Sequence, residues 1–247
     1  MYPKISVITP SYNQGKYLEE TITSIINQDY PNLEFIIIDG GSNDESVDII
    51  KKYESKITYW QSKPDKGQSN AINIGFAKAT GDILCWLNSD DTFLPNALQH
   101  VAENYIKTNF DFYYSDVYLV DSESKKFRHV KARKTNYEAQ VCGHFAIPQQ
   151  GSFWTPELFN KAGGLNENNK TCMDGELFMN FLKDKNIKVI KDNVPIANFR
   201  IHPESLTGSS HNKVQYKKDR NELVNQHIKK FKTLKKIYYK YVYRFIA

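Results

Sequence analysis

The pair Asp90-Asp91 closes an apolar run, Ile83-Leu84-Cys85-Trp86-Leu87, that starts after a Gly81-Asp82 turn. Such a run reads as a buried strand of an open α/β sheet, and these sheets bind ligands beyond the carboxyl ends of their strands. Adjacent carboxylates repel, so a site that keeps both ionised supplies a cation. Mg²⁺ and Mn²⁺ are held through one or two carboxylates together with a substrate's phosphates, and the pair therefore suggests a metal-bound phosphate ester. An Asp pair ahead of Pro95 equally suits the cap of the next helix. Asp39 and Asp65 also fall at or just after strand ends, so in a parallel sheet one nucleotide could touch several of these acids. Each has a local alternative, since Asp39-Gly40 is a good turn and Asp65 follows Pro64. His202 comes after a later strand, with Arg200 two residues earlier on the same face. An imidazole can ligate Mn²⁺ and a guanidinium can pair with phosphate, while a surface turn before Pro203 is the plainer alternative.

The elements that must position these residues alternate between β-rich runs and helical patterns. Strands are expected at 5–9, 34–38, 57–61, 82–87 and near 112–115. Helices are expected at 16–27, from a capping box of Ser42 with Glu45 to about residue 53, at 68–78 and at 95–107. This is the signature of a doubly wound sheet. Beyond it the pattern loosens: 148–154 looks extended, Pro156 starts a short helix that Gly163-Gly164 ends, 174–183 is helical, and 187–190 and 196–201 are strand-like.

At 247 residues, with 40% hydrophobic and 25% charged residues, the chain is long enough for one substantial domain and is not compositionally disordered. Cys85, Cys142 and Cys172 are odd in number and widely spaced, which suggests neither a disulfide framework nor a zinc site and fits a reducing cytoplasm. No run is long enough for a signal h-region or a membrane span. The net charge of +5 is local to the tail: without the seven basic residues that follow Glu222, 26 basic residues face 28 acidic ones, giving no support to nucleic-acid binding. Phe231, Leu234, Ile237, Tyr238, Tyr241, Val242 and Phe245 recur at helical spacing among those lysines. That basic amphipathic helix would either lie on an anionic membrane or pack on protein.

Four segments in order, Ser6-Val7-Ile8-Thr9-Pro10-Ser11-Tyr12-Asn13, Ile37-Ile38-Asp39-Gly40-Gly41-Ser42-Asn43-Asp44, Ala71-Ile72-Asn73-Ile74-Gly75 and Leu87-Asn88-Ser89-Asp90-Asp91, resemble the family 2 glycosyltransferases. Gly163-Gly164-Leu165, Met173-Asp174-Gly175-Glu176-Leu177-Phe178 and Arg200-Ile201-His202 echo the same family more weakly. The resemblance implies a single glycosyltransferase A-type α/β domain, with a Rossmann-like nucleotide-binding half at 1–115, an acceptor half at 116–210 and a helical tail at 211–247. It further implies an inverting, Mn²⁺- or Mg²⁺-dependent transfer from a nucleotide-diphosphate sugar, UDP-linked, to a saccharide or lipid-linked acceptor in surface polysaccharide synthesis. Residue by residue, Thr9, Pro10 and Tyr12 would wall the base pocket, and Asp39, Asp65, Asn73 and Asp90 would contact the donor. Asp91 and His202 would hold the metal, and Asp174 would be the catalytic base. Asn88 and Met173 stand where the family often has acids, which lowers the local charge, and Glu176 competes with Asp174. Gln149, Gln150 and Trp154 are candidates for the acceptor side. Two other readings remain: a sugar-phosphate nucleotidyltransferase, which would carry a Gly-rich basic loop where this chain has Thr9-Pro10-Ser11-Tyr12-Asn13, and a catalytically silent scaffold.

Overall fold

The computed structural model describes residues 2–143, 147–205, 210–229, 231 and 233. The first half runs β1 (Ile5–Ser11), α1 (Gly15–Ile26), β2 (Leu33–Asp39), α2 (Ser46–Lys52), β3 (Tyr59–Ser62), α3 (Gln68–Phe76), β4 (Ile83–Trp86), β5 (Thr92–Phe93), α4 (Ala97–Thr108) and β6 (Phe112–Tyr114). The second half runs β7 (Val117–Val120), β8 (Lys126–Val130), α5 (Tyr137–Val141), β9 (Ser152–Trp154), α6 (Pro156–Ala162), α7 (Met173–Leu182), β10 (Val189–Lys191), β11 (Ala197–Arg200) and α8 (Ser210–Ile228).

Seven strands form the main sheet in the order β10-β6-β9-β4-β1-β2-β3. All neighbours are parallel except β9, which inserts antiparallel between β4 and β6. Period-two alternation divides the side chains of this sheet between two cores. Val7, Phe35, Ile37 and Cys85 pack with apolar residues of α1, α2 and α4, while Ile8, Ile36, Ile38, Leu84 and Trp86 pack with α3, α6 and α7. Each fully buried large aliphatic or aromatic side chain stabilises the fold by about 1.5–3 kcal/mol, so continuous Ile/Val/Phe runs are what a sheet covered on both faces demands. Four further strands form a small sheet, β5-β11-β7-β8.

Several local expectations meet a different structure. Ser42 and Glu45 form no capping box, because α2 begins at Ser46 and the Ser42 hydroxyl donates to Asp39 Oδ1 at 2.5 Å. The helix expected from Pro95 starts at Ala97, behind Asn96 in the left-handed region with φ 62°. The β7–β8 hairpin lies where the sequence pattern had become irregular. At α6, Thr155 caps, Pro156 occupies the first turn and Gly163 ends the helix at φ 83°, as the residue types require.

The C-terminal helix α8 docks on the domain. Leu223 is buried with Val141 and Met179, the Tyr137 hydroxyl and His227 Nδ1 are 2.8 Å apart, and Thr171 Oγ1 donates to Asp219 Oδ2 at 2.7 Å. Of the amphipathic tail, Phe231 meets the Tyr137 ring at a centroid distance of 6.0 Å. Leu234, Ile237, Tyr238, Tyr241, Val242 and Phe245 lie outside the described residues. No helix among the described residues is long and apolar enough to cross a membrane.

Candidate active site

Parallel strands β1, β2 and β3 end in register, with Ser11 opposite Asp39 and Asp39 opposite Ser62. The chain order reverses at β1, which has β2 on one side and β4 on the other, and this is the switch point where open α/β sheets place ligands. A cleft of about 1420 Å³ opens there. Pro10, Ser11, Tyr12, Gly40, Pro64 and Asp65 line its β1–β2–β3 end. Tyr12 is well exposed, and Asp65 Oδ1 accepts from Gly67 N at 2.7 Å. A Cβ at Gly40 would lie 2.9 Å from Asp65 Oδ2 and 3.3 Å from the Tyr12 ring, so glycine allows this close approach. The opposite wall comes from Val117, Leu119 and Phe199 of the small sheet and from the segment that follows β8.

The acids after β4 meet the end of β11 because β5 and β11 pair antiparallel, with Thr92 opposite Asn198. Stepping back from Thr92 to Asp90 therefore steps forward from Asn198 to Arg200 and His202. The two carboxylates differ sharply. Asp91 is 1% exposed, does not line the cleft, and accepts from Arg200 N at 2.9 Å, Gln150 Nε2 at 3.0 Å and Asn88 Nδ2 at 3.1 Å. Burial and then the neighbouring Asp90 push its pKa well above the carboxylate range, against the pull of those three donors. Asn88 can donate to Asp91 where an aspartate could not, which gives its presence here a physical reason.

Asp90 lines the cleft, and its Oδ2 lies 3.1 Å from His202 Nε2. With the proton on Nε2 this contact is a hydrogen bond to the carboxylate, and with the proton on Nδ1 the Nε2 lone pair and Asp90 Oδ2 face one another across a gap that a cation can bridge; Nδ1 has no hydrogen-bond partner among the described residues. His202 is buried and rests on the Tyr17 ring at a centroid distance of 4.6 Å. Among the described residues no three His, Cys, Asp or Glu side chains cluster as a closed cation cage. One carboxylate beside an imidazole nevertheless fits a hard divalent ion whose remaining ligands are waters and substrate phosphates. Arg200 is engaged elsewhere: its guanidinium donates to Glu20 Oε2 at 2.6 Å, Ser124 Oγ at 2.9 Å and Asp90 O at 2.7 Å, and lies 4.9 Å above the Tyr17 ring.

Asp174, in the first turn of α7, also lines the cleft. Burial raises its pKa, opposed by the Gly175 N–H that donates to Oδ1 at 2.7 Å. It keeps a partly exposed edge on the cleft. Glu176 does not line the cleft, and its carboxylate accepts from Asn166 at 3.1 and 3.2 Å and from Asn169 at 2.8 Å. Tyr216 of α8 closes the cleft beside Asp174, a contribution that sequence reasoning missed because the helical pattern there was assigned to a separate tail.

Four other expected residues stand behind the cleft surface rather than on it: His202, behind Asp90, and Thr9, Asp39 and Asn73. Thr9 is fully buried, and its hydroxyl has no partner among the described residues. Asp39 is fully buried and accepts from Gly41 N, Ser42 N, Ser42 Oγ and Ser62 Oγ, holding the β2–α2 loop and β3 together. Asn73 clips α3 to the loop before α7, donating to Leu165 O at 2.9 Å and accepting from Leu165 N at 3.0 Å. Of the acceptor-side candidates, Gln149 and Gln150 line the cleft, whereas Trp154 is fully buried in the core.

The profile of Glycosyl transferase family 2 matches residues 6–189, most of the chain and all of this geometry up to β10. The chain belongs to glycosyl transferase family 2. Similar family members include uncharacterized glycosyltransferases of Rickettsia typhi, 28% identical over 86% of this chain and 69% of the relative, and of Rickettsia prowazekii, 28% identical over 88% and 70%. A longer Rickettsia felis glycosyltransferase is 26% identical over 85% of this chain but only 36% of its own length. Among solved structures, S. aureus TarS 1-349 in complex with UDP-GlcNAc superposes with a TM-score of 0.74 at 17% identity, covering 96% of this chain and 70% of that one. Mannosyltransferase PcManGT from Pyrobaculum calidifontis in complex with GDP-Man and Mn²⁺ gives 0.70 at 15% identity, covering 96% and 67%. At such identities these likenesses show the fold, a glycosyltransferase A-type domain. The family makes the chain a glycosyltransferase.

Proposed function

We propose that this glycosyltransferase moves a sugar, with inversion, from a nucleotide-diphosphate sugar to a hydroxyl of a saccharide or lipid-linked saccharide. The observation that carries the proposal is one cleft lined at one end by Pro10, Tyr12 and Asp65, at its centre by Asp90 backed by His202, and on another flank by Asp174. The nucleotide lies against Tyr12, Gly40 and Asp65. Thr9, Asp39 and Asn73 act through the loops they hold, and Asp90 with His202 would hold a divalent cation while Asp91 braces them. That cation supplies charge neutralisation for the departing diphosphate.

Asp174 takes the proton of the acceptor hydroxyl. The acceptor oxygen forms its bond to the anomeric carbon as the bond from that carbon to the diphosphate oxygen breaks, the nucleoside diphosphate leaving with the electron pair. Attack and departure on opposite faces invert the centre. A base whose pKa burial raises is better matched to this proton than an exposed one. Support for a UDP donor is the complex that the TarS fold forms with UDP-GlcNAc, and for Mn²⁺ the PcManGT complex. The amphipathic spacing beyond Phe231 supports peripheral contact with the membrane that carries a lipid-linked acceptor. The test is thermal stabilisation by a panel of nucleotide sugars with Mn²⁺, since a ligand that binds only the folded state raises apparent stability by mass action. A UDP-sugar should give the largest shift; no shift with any nucleotide sugar would overturn the reading.

A further inference from the structure

The cleft has a cationic wall with no role in the scheme above. Residues 125–134 hold Lys125, Lys126, Arg128, Lys131, Arg133 and Lys134 and no acidic residue. A charge run on an edge strand is often no more than a solvated face that blocks strand pairing. Here, however, Arg128, Lys131, Arg133 and Lys134 all line the cleft. The backbone that carries them is built in place. Asp116, itself 1% exposed, accepts from Ala132 N at 2.8 Å through Oδ1 and pairs with His129 Nε2 at 2.8 Å through Oδ2, and the Tyr114 hydroxyl donates to Arg133 O at 3.0 Å. Among the described residues none of Arg128, Lys131 and Arg133 has a carboxylate partner. Topology separates them from the nucleotide end of the cleft. They lie on β8, the edge of the small sheet, or just after it, whereas Tyr12, Gly40 and Asp65 follow β1, β2 and β3 at the far edge of the main sheet.

Resting on the glycosyltransferase reading, we infer that this strip is the acceptor subsite and that the acceptor carries phosphate, recognised by Arg128, Lys131 and Arg133 while its hydroxyl meets Asp174. Arginine forks match phosphate oxygens in pairs, and the donors assembled here exceed what the two oxygens of a single carboxylate can accept. Val117, Leu119 and Phe199 beside the strip give a saccharide or polyol body an apolar surface to lie on.

The test uses the full chain saturated with UDP and Mn²⁺, so that the donor end is filled. Glycerol 3-phosphate is titrated with amide resonances as readout, against glycerol and glucuronate as neutral and carboxylate comparisons. Glycerol 3-phosphate should shift resonances at 128–134 and outcompete both comparisons. The combined variant Arg128→Gln, Lys131→Gln, Arg133→Gln should weaken it by roughly tenfold or more while leaving UDP affinity unchanged. Circular dichroism checks that the variant folds, and Arg133→Lys, which keeps charge but loses the fork, should weaken binding to a smaller extent. Equal binding of glucuronate, binding of glycerol 3-phosphate to the UDP-free chain but not to the UDP-saturated one, or undiminished binding to the combined variant would each overturn the inference. So would association of phosphatidylglycerol vesicles through the strip without any response to glycerol 3-phosphate, which would make it a membrane contact. Failure of UDP itself to bind, with glycerol 3-phosphate still held at 128–134, would overturn the donor reading and leave the phosphate site standing.

Discussion

Replacing Asp174 by asparagine separates chemistry from binding and from folding. The amide keeps the side chain's shape and the Oδ1 acceptor that the Gly175 N–H uses, so α7 should start as before. What disappears is a base in the cleft, and general-base contributions of roughly 10²-fold or more correspond to about 2.7 kcal/mol of transition-state stabilisation. Turnover, measured as UDP release to water or to an acceptor, should fall by about that factor. UDP affinity by calorimetry should stay unchanged, because the proposed nucleotide end is built from β1, β2 and β3. The wild-type pH profile should have its acid limb above the usual aspartate value of about 3.9, since burial raises this carboxyl. The same shift sets the sign for stability. With the folded pKa above the unfolded one, the unfolded chain gives up the proton first, so the wild type loses stability as pH rises through this interval. The asparagine variant should therefore melt no lower than wild type at pH 8, with the relative advantage shrinking toward pH 4. Glu176→Gln, which alters a carboxylate engaged by Asn166 and Asn169 outside the cleft, should remain close to wild-type turnover. An inactive Glu176→Gln beside a normal Asp174→Asn would refute the assignment.

Asp91→Ala strands the donors on Asn88, Gln150 and Arg200 and should cost about 3 kcal/mol, read as a lower urea midpoint; an unchanged midpoint would remove its bracing role. Gly40→Ala pushes a methyl group to 2.9 Å from Asp65 Oδ2 and should weaken UDP binding by about tenfold with little change in melting temperature, whereas wild-type affinity would detach Asp65 from the donor. At the other end of the sheet, burial would raise the Glu34 pKa, but hydrogen bonds from Lys4, Ser6 and Thr80 outweigh it and hold the group at about 2. This stabilisation is present above the unfolded value and is lost as pH falls toward about 2, so Glu34→Gln should flatten the acid limb of the stability curve between those values. An identical acid limb in the variant would show that the network carries no such linkage.

The first half of the fold was legible because its strands are continuous Ile/Val/Phe runs, each followed by a helix of clear period, so acids at strand ends were bound to share one edge. Asp39, Asp65 and Asp90 do so. Their side-chain directions were not legible. Nothing in Asn88-Ser89-Asp90-Asp91 says which carboxylate turns to the cleft, because that is settled by Arg200 N and Gln150, 109 and 59 residues away in sequence. Asn73 likewise looked like a donor contact, yet its amide is matched to the Leu165 backbone. Of the small sheet only β11 was anticipated, within 196–201; β7 and β8 escaped notice because they are short and because β8 is exposed along nearly its whole length, with its two apolar residues, Phe127 and Val130, three apart rather than alternating. The cations of that strand were visible, but net charge counted over the whole domain averaged them away.

The central claim is that Asp90, backed by His202, carries the donor's diphosphate through a divalent cation in a glycosyltransferase cleft. Calorimetric titration of UDP with and without Mn²⁺ into wild type and Asp90→Asn tests it most directly. Mn²⁺ should tighten UDP binding to the wild type strongly and have no effect on the variant, which keeps its fold because Asp91 still braces the loop. Equal Mn²⁺ dependence in the two proteins, or none in the wild type, would contradict the account.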